Sequence, residues 1–503
     1  MLSKKRFKKE TVLTYSMFAV IAIVTLILAY QNIFPCYGFM DDYTVAYHAG
    51  DENLLNHFLS GGRPLYGILT KFLYVRLGTI CELKNIRIIS LIGIVFFSIL
   101  LFRAYRLAGW EKLESGCAAI VTCLMPAFEV YAAWAVEFIV PFGMSLTLIA
   151  GELCLRSYDR RGVARARLKM AIMLSICMGL LLASLMMYQF AVQAFWLFIA
   201  IALLKPNENS HDFFRKGIYC FIIFSISVII YFILFKTNVW PFTVAPLSRS
   251  HLTTEPLNKL LWFFKAPLFD ALSLTAILKN KQIIICTVTV TLSFILCGLF
   301  CRIKRIAHHK YLFIFVVLSL LPLAYMSNLA SAENWSSFRT QAVLSALIVF
   351  YLLLSFKEIF QSRMRKIILP GFVFICLIMA YNNVTDGFVI PQKQELNIVR
   401  HATAAALSHK PDKIVFIRPS WKDSIAKKVR YDEFGLPSTS QLWVPVPLIK
   451  LILREINNTG VNQIEIECYA PNSSYNSKKG DATINMGEIL RAFNQKKATE
   501  PSK

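Results

Sequence analysis

"VLTYSMFAVIAIVTLILAY", residues 12–30, carries no charged side chain. As a helix rising about 1.5 Å per residue it would reach roughly 28 Å, close to the roughly 30 Å depth of a bilayer's hydrocarbon core. Only helices and closed barrels satisfy every backbone N–H and C=O in lipid, and a continuous apolar run of this length is the helical solution. The basic stretch "KKRFKK" (4–9) precedes it and "NIFPCYGFMDD" (32–42) follows. The run is too long for a signal-peptide core and no small-residue cleavage site comes after it, so it reads as a retained first helix.

Ten further apolar blocks follow, near 86–102, 116–134, 138–155, 170–189, 190–204, 218–235, 282–300, 311–327, 341–356 and 367–381, in a chain that is 56% hydrophobic. The fold class expected is an α-helical polytopic membrane protein with about 11 transmembrane helices. The block 190–204 is short enough to be tilted or partly re-entrant. The net charge of +24 sits mostly in short connections: "RAYRLAGWEK" (103–112), "RSYDRRGVARARLK" (156–169), "KPNENSHDFFRK" (205–216), "RIKRIAHHK" (302–310) and "KEIFQSRMRK" (357–366). Threading the helices places all of them on one side, which the positive-inside rule makes cytoplasmic. Topology and anionic lipid therefore account for the charge, and no nucleic acid partner is expected.

This threading divides the chain into a transmembrane domain, 1–381, with long outer loops at 34–85 and 236–281. A periplasmic α/β domain is expected over 382–490, because "KIVFIRP" (413–419) and "QIEIECYAP" (463–471) read as strands and "LIKLILREI" (448–456) has helical spacing. Residues 491–503, ending in "NQKKATEPSK", read as a disordered tail. Most of the twelve cysteines lie in apolar blocks and read as small buried hydrophobes. Cys36, Cys81 and Cys468 are too few and scattered to argue a disulfide framework.

Polar residues at the outer ends are the candidates for chemistry. Asp41 and Asp42 follow the first helix among Tyr37, Phe39, Tyr43 and Tyr47. They could be a solvated loop edge, an ion site or a general base, since aromatic neighbours desolvate a carboxylate and raise its pKa. Two carboxylates are too few ligands to argue a metal, so no metal or other cofactor is indicated. Arg63, in "SGGRPLYG" (60–67), is either a planar fork for phosphate or a headgroup anchor. The segment 63–80 has the spacing of an amphipathic helix lying in the interface. Glu137, with Glu129 before it, is an ionisable group at a membrane edge, to be read as functional or as reaching for water. Tyr188 and Gln189 end an outward helix, where an interfacial tyrosine is common. Glu333, Trp335 and Arg339 lie in "SAENWSSFRTQAVLSAL" (331–347), with Arg339 again suited to phosphate. Trp240, Arg249, His251 and Trp262 form a weak sugar-binding palette. No P-loop, GxGxxG, HExxH or GxSxG occurs, which favours a lipid-activated donor over a nucleotide.

In order, "MDD" (40–42), "GGRPLYG" (61–67), "YQF" (188–190), "FRTQAVLSA" (338–346) and "YDEFGLPS" (431–438) resemble the bacterial serotype-converting O-antigen glucosyltransferases of the Gtr type, within the GT-C class of polytopic glycosyltransferases. The resemblance implies a GT-C-like fold in the bacterial inner membrane, with the N-terminus cytoplasmic and the C-terminal domain periplasmic. It implies transfer of a sugar, expected to be glucose, from an undecaprenyl-phosphate-linked donor to lipopolysaccharide O-antigen, with inversion. It places a catalytic acidic residue, acting as general base, in the first outer loop, on Asp41 or Asp42 with a slight preference for Asp42. Arg63, Glu137, Tyr188, Gln189, Glu333 and Arg339 become candidate substrate-binding residues. The expected partners are the lipid-linked donor, the O-antigen acceptor and membrane lipids, with a flippase and a donor-lipid synthase in the same pathway. Alternatives are a GT-C transferase acting on lipid A or protein, and a polyprenyl-linked glycan flippase or transporter.

Overall fold

The computed structural model describes residues 2–160, 167–204, 210–237, 244, 252–274, 280–305, 310–426, 433–456, 464–473, 475 and 480–499. The first helix, α1 (Leu2–Tyr30), buries Phe18, Ala22, Leu26 and Ala29 and leaves Val20, Ile21, Val24 and Leu28 exposed. A helix that is apolar all round and half uncovered is built to face lipid. Three short helices fill the first outer loop: α2 (Asp41–Tyr47), α3 (Glu52–Ser60) and α4 (Pro64–Tyr74). Next come α5 (Leu83–Leu107), α6 (Lys112–Cys123), α7 (Pro126–Ala133), α8 (Val140–Asp159), α9 (Arg167–Met187), α10 (Ala194–Leu203) and α11 (Ser210–Lys236). The second outer loop holds α12 (Pro256–Lys265) and α13 (Pro267–Leu272). The bundle closes with α14 (Lys281–Arg305), α15 (Lys310–Leu323), α16 (Met326–Ala330), α17 (Ala342–Ile359) and α18 (Ser362–Val384).

Each of the eleven apolar blocks is helical, but the count of about eleven spans is corrected. Among the described residues, eight helices are long and apolar enough to cross a membrane. The pair α6 and α7, bent by 60°, makes a ninth if taken together, and two apolar helices are shorter, Ala191–Leu203 and Lys310–Leu323. Pro126 at the start of α7 explains the bend, since the residue before a proline is pushed out of helical backbone and Met125 is extended.

The basic connections converge on one end of the bundle, tied by ion pairs. Glu152 bridges Arg103 and Arg156, Lys216 meets Asp159, Glu358 holds Arg302 and Arg305, and Glu114 holds Lys357 and Arg365. These contacts join α5 to α8 and α11 in one set and α6, α14, α17 and α18 in another, and leave the long loops at the opposite end.

The C-terminal region departs from its expected boundaries. No break falls at residue 381: α18 runs through a π turn, Thr385–Val389, into α19 (Ile390–Leu407). The small α/β unit then comprises β1 (Lys413–Ile417), α20 (Pro445–Ile456), β2 (Glu465–Tyr469), β3 (Asp481–Asn485) and α21 (Met486–Thr499). Its strands are all parallel, in the order β2-β1-β3, with Lys413 opposite Glu465 and Asp481. The tail expected to be disordered is helical through Thr499, because Met486 and Leu490 are buried one turn apart and pin its start.

Cys36 and Cys81 are disulfide-bonded, a pairing not expected from the sequence. The bond clamps the exit of the first helix to the start of α5, and Arg400 of α19 reaches both sulfurs while pairing with Glu455. Closing a loop of 45 residues is worth on the order of 2–4 kcal/mol in the chain-entropy account. Cys36→Ser should lower the apparent melting midpoint in detergent. Reductant should lower the wild type equally and leave the variant unchanged; a reductant-insensitive wild type would contradict the clamp.

Candidate functional site

The two aspartates, adjacent in the first turn of α2, have opposite surroundings. Asp42 is fully buried. Its carboxylate accepts from the backbone N–H groups of Phe39 (3.0 Å), Ala135 (3.4 Å) and Val136 (2.8 Å), with the Tyr74 hydroxyl at 3.5 Å. Ala135 and Val136 open the 3₁₀ turn Ala135–Ile139, whose first N–H groups lack intrahelical partners and carry partial positive charge. Asp42 therefore caps that turn from a different segment. Burial pushes its carboxyl up to about 7, against the Arg87 charge and the three backbone donors. Arg87, itself fully buried, donates to the carbonyls of Ile33, Pro35 and Tyr37 and stacks on the Tyr37 ring, fixing the loop that delivers the pair.

Asp41 is only partly buried, and its Oδ1 accepts from the Trp443 indole N–H at 2.7 Å. Met40, just before it, has φ +40°, a left-handed backbone uncommon for a side chain of that size. It is held there by its N–H, which donates to Ser438 Oγ at 2.9 Å. Ser438 and Thr439 are gripped in turn by the buried Glu395 of α19, which accepts from both backbone N–H groups. The "GLPSTS" segment thus sets the conformation of "MDD".

The capped turn carries Glu137, buried, with Oε1 on Arg339 Nη1 at 2.7 Å. Arg339 lies over the Trp134 ring at 4.5 Å and has Glu433 Oε1 at 3.5 Å from Nε, while Phe338 N–H donates to Glu433 Oε2. The Tyr66 hydroxyl donates to the Val136 carbonyl and the Tyr131 hydroxyl to the Arg339 carbonyl. Arg339 is thus held by two carboxylates; the expectation of a free phosphate-binding fork is not what its surroundings favour. The charge of Asp41 reaches Arg339 and that of Arg63 reaches Glu137.

Arg63 is different. Its Nε donates to Gln189 Oε1 at 3.1 Å and its guanidinium stacks 4.5 Å from the Tyr188 ring centroid. Among the described residues it makes no ion pair. Gln189 Nε2 also donates to the carbonyls of Gly61 and Gly62, and the Tyr231 hydroxyl donates to Gly62 at 2.7 Å. The structure therefore brings together Asp41, Asp42, Arg63, Glu137, Tyr188, Gln189 and Arg339. Glu333 stays apart: its carboxylate is exposed and its backbone carbonyl takes the Lys259 ammonium. Trp240, Arg249 and His251 lie outside the described residues; Trp262 is described and stacks under Lys259. Glu433, Trp443, Tyr231 and Arg87 were missed. Two of them had a signal: Arg87 is a cation beginning an apolar block, and Glu433 lies within "YDEFGLPS". Among the described residues no three His, Cys, Asp or Glu side chains converge as a metal site.

Fold and site together define a polytopic helical membrane protein with a polar cluster opposite its basic connections. No protein-family model matches the chain, and no curated protein matches its sequence. Among solved structures it is similar to the crystal structure of the Archaeoglobus fulgidus oligosaccharyltransferase in complex with zinc and sulfate, at 10% identity and a TM-score of 0.41. The match covers 86% of this chain and 66% of that one, just under two-thirds of its length. A likeness this distant assigns neither family nor activity.

Two outcomes follow from the geometry. The folded-state pKa of Asp42, about 7, lies above its unfolded value of about 3.9. Protonation therefore favours the folded state; that stabilisation is complete below about pH 4 and is lost as pH rises through about 7. The stability difference between wild type and Asp42→Asn should narrow across that window, by up to about 1.4 kcal/mol per pH unit, read as melting midpoints against pH. Gly62 has φ +75°, and a Cβ there would lie 2.4 Å from Tyr231 Oη, whereas at Gly61 the nearest atom is 3.5 Å away. Gly62→Ala should lower the melting midpoint, and Gly61→Ala should not.

Proposed function

We propose that the chain is a glycosyltransferase of the GT-C class, moving a sugar from a polyprenyl-phosphate carrier to a glycan acceptor at the outer face of a bacterial inner membrane. The observation that carries the reading is one partly exposed carboxylate, Asp41, and one cation that makes no ion pair among the described residues, Arg63, whose charges reach the buried Glu137–Arg339 pair. A base and a phosphate-binding fork are the two groups that the transfer needs.

In this mechanism the acceptor hydroxyl gives its proton to the Asp41 carboxylate and its oxygen attacks the anomeric carbon. The bond from that carbon to the phosphate oxygen breaks, and the electron pair leaves on the lipid phosphate, met by Arg63. Attack opposite the leaving group inverts the anomeric configuration. The preference between the aspartates moves to Asp41, because every oxygen of Asp42 is turned into protein. Asp42 positions the turn that carries Glu137, and the Trp443 indole N–H orients Asp41. Tyr188 and Gln189 aim Arg63. No cofactor is invoked.

Orientation with the cluster outside is supported by the Cys36–Cys81 bond, since disulfides persist on the oxidising side of a membrane. The basic connections at the opposite end agree with a cytoplasmic face. The resemblance carried by "MDD", "GGRPLYG" and "FRTQAVLSA" narrows the donor to undecaprenyl-phosphate-linked glucose and the acceptor to O-antigen.

The test is expression in cells making a defined O-antigen, with and without a donor-lipid synthase, followed by analysis of the polysaccharide. A new side-branch sugar should appear only with the synthase. Asp41→Asn should reduce transfer on the order of 10²–10⁴-fold, and Arg63→Ala on the order of 10²–10³-fold. Transfer that survives Asp41→Asn removes the base from Asp41, and no new sugar in any arm removes the transferase reading.

A further inference from the structure

The helix α12 is amphipathic in the wrong sense for water. Leu257, Leu260, Leu261 and Phe264 fall at i, i+3, i+4 and i+7, the spacing of one helical face. That face points away from the protein: the four side chains are 70%, 39%, 50% and 54% exposed. What turns inward is Phe263 and a cation, Lys259, 4% exposed. A surface helix in water puts its apolar stripe on the core and its charges outside.

The inward cation is an anchor. Lys259 Nζ donates to the Glu333 carbonyl and to Asn334 Oδ1 at 2.8 Å, and sits 4.5 Å from the Trp262 ring centroid. Further stitches join the same two segments: Thr253 N–H to the Ala330 carbonyl at 2.8 Å, a bridge between Leu252 and Ser331, and Ser336 Oγ to Asp270 Oδ2 at 3.2 Å. Trp335 and Leu252, both more than half exposed, extend the apolar surface on either side.

Position identifies the occupant. α12 packs on α16, just past the end of the apolar helix α15, and α13 packs on α14 and α17 at their loop-side ends. The stripe therefore faces outward at the level where α14, α15 and α17 have their loop-side ends. α13 links that face to α14, whose loop-side Ile283 and Ile285 are exposed as a lipid-facing surface requires. The flanking Lys265 is exposed, placed to reach the headgroups along its alkyl stem.

We infer that α12 lies in the outer leaflet of the bilayer, its Leu257–Leu260–Leu261–Phe264 face in the acyl boundary and Lys259 latching it to the 333–334 loop. That loop leads within six residues to Arg339, so leaflet contact braces the segment bearing the buried ion pair. The inference stands on the membrane fold and needs no transferase activity.

The test uses the full chain in nanodiscs containing a phospholipid with a diazirine high on its acyl chain, photolysed and mapped by mass spectrometry. Peptides covering 256–265 should carry lipid adducts at a level comparable to the loop-side end of α14. Leu257→Gln with Leu261→Gln should cut those adducts at least fivefold and leave α14 labelling unchanged, which doubles as the folding control. Lys259→Met, which keeps the stem without the charge, should keep the adducts but speed amide exchange over 333–338. The inference is overturned if 256–265 carries no adduct while α14 does, if a water-soluble carbene labels it as heavily as Leu442, or if α12 cross-links chiefly to a second copy of the chain.

Discussion

The carboxylate of Asp42 is the constraint on which the outer end of the molecule depends. It collects backbone donors from its own loop and from the turn after Trp134, segments more than ninety residues apart. Removing it would leave three N–H groups with no acceptor, at about 1–3 kcal/mol each. Its neighbour on α2 is rotated by about 100° and so emerges on the other side. Burying one aspartate is thus what presents the other. The same capped turn carries Glu137, so the ion pair with Arg339 inherits its position from Asp42 as well.

A second constraint acts on the opposite face. Glu114, Glu152 and Glu358 each hold two cations, and each of the three reaches at least one cation on another helix. Partly buried pairs of this kind resist the loss of one member more than they add net stability. Their effect is to fix which helix ends adjoin, and hence which ends lie together at the far side. The arrangement of the loop-side cluster therefore begins with carboxylates at the opposite end of the bundle.

The spans were legible because lipid imposes the same demand on every one: roughly twenty residues without unpaired charge. What the apolar blocks could not show was length after bending, so α6 with α7 and the two short helices inflated the count. The aspartate pair was legible as a candidate because two acids follow a span there among four aromatics. Which of the two faces inward was not, since the deciding donors are Ala135 and Val136, and no local pattern encodes them. The Cys36–Cys81 bond escaped for the same reason, as pairing depends on an approach in space that spacing does not report. The tail was misread from its polar end alone; the burial of Met486 and Leu490 against the sheet outweighs the composition of 494–499.

The C-terminal unit is not an appendage to the bundle. It supplies Trp443 to Asp41, Glu433 to Arg339 and Ser438 to the strained Met40, all from a stretch of eleven residues. That stretch is held in turn by Glu395, on a helix continuous with the last span. A left-handed residue such as Met40 costs about 1–2 kcal/mol and persists only where its surroundings overdetermine it. Here the surroundings are the C-terminal unit. The cluster is therefore assembled only when bundle and C-terminal unit are docked, and the rigid continuation of α18 into α19 is what keeps that docking in register.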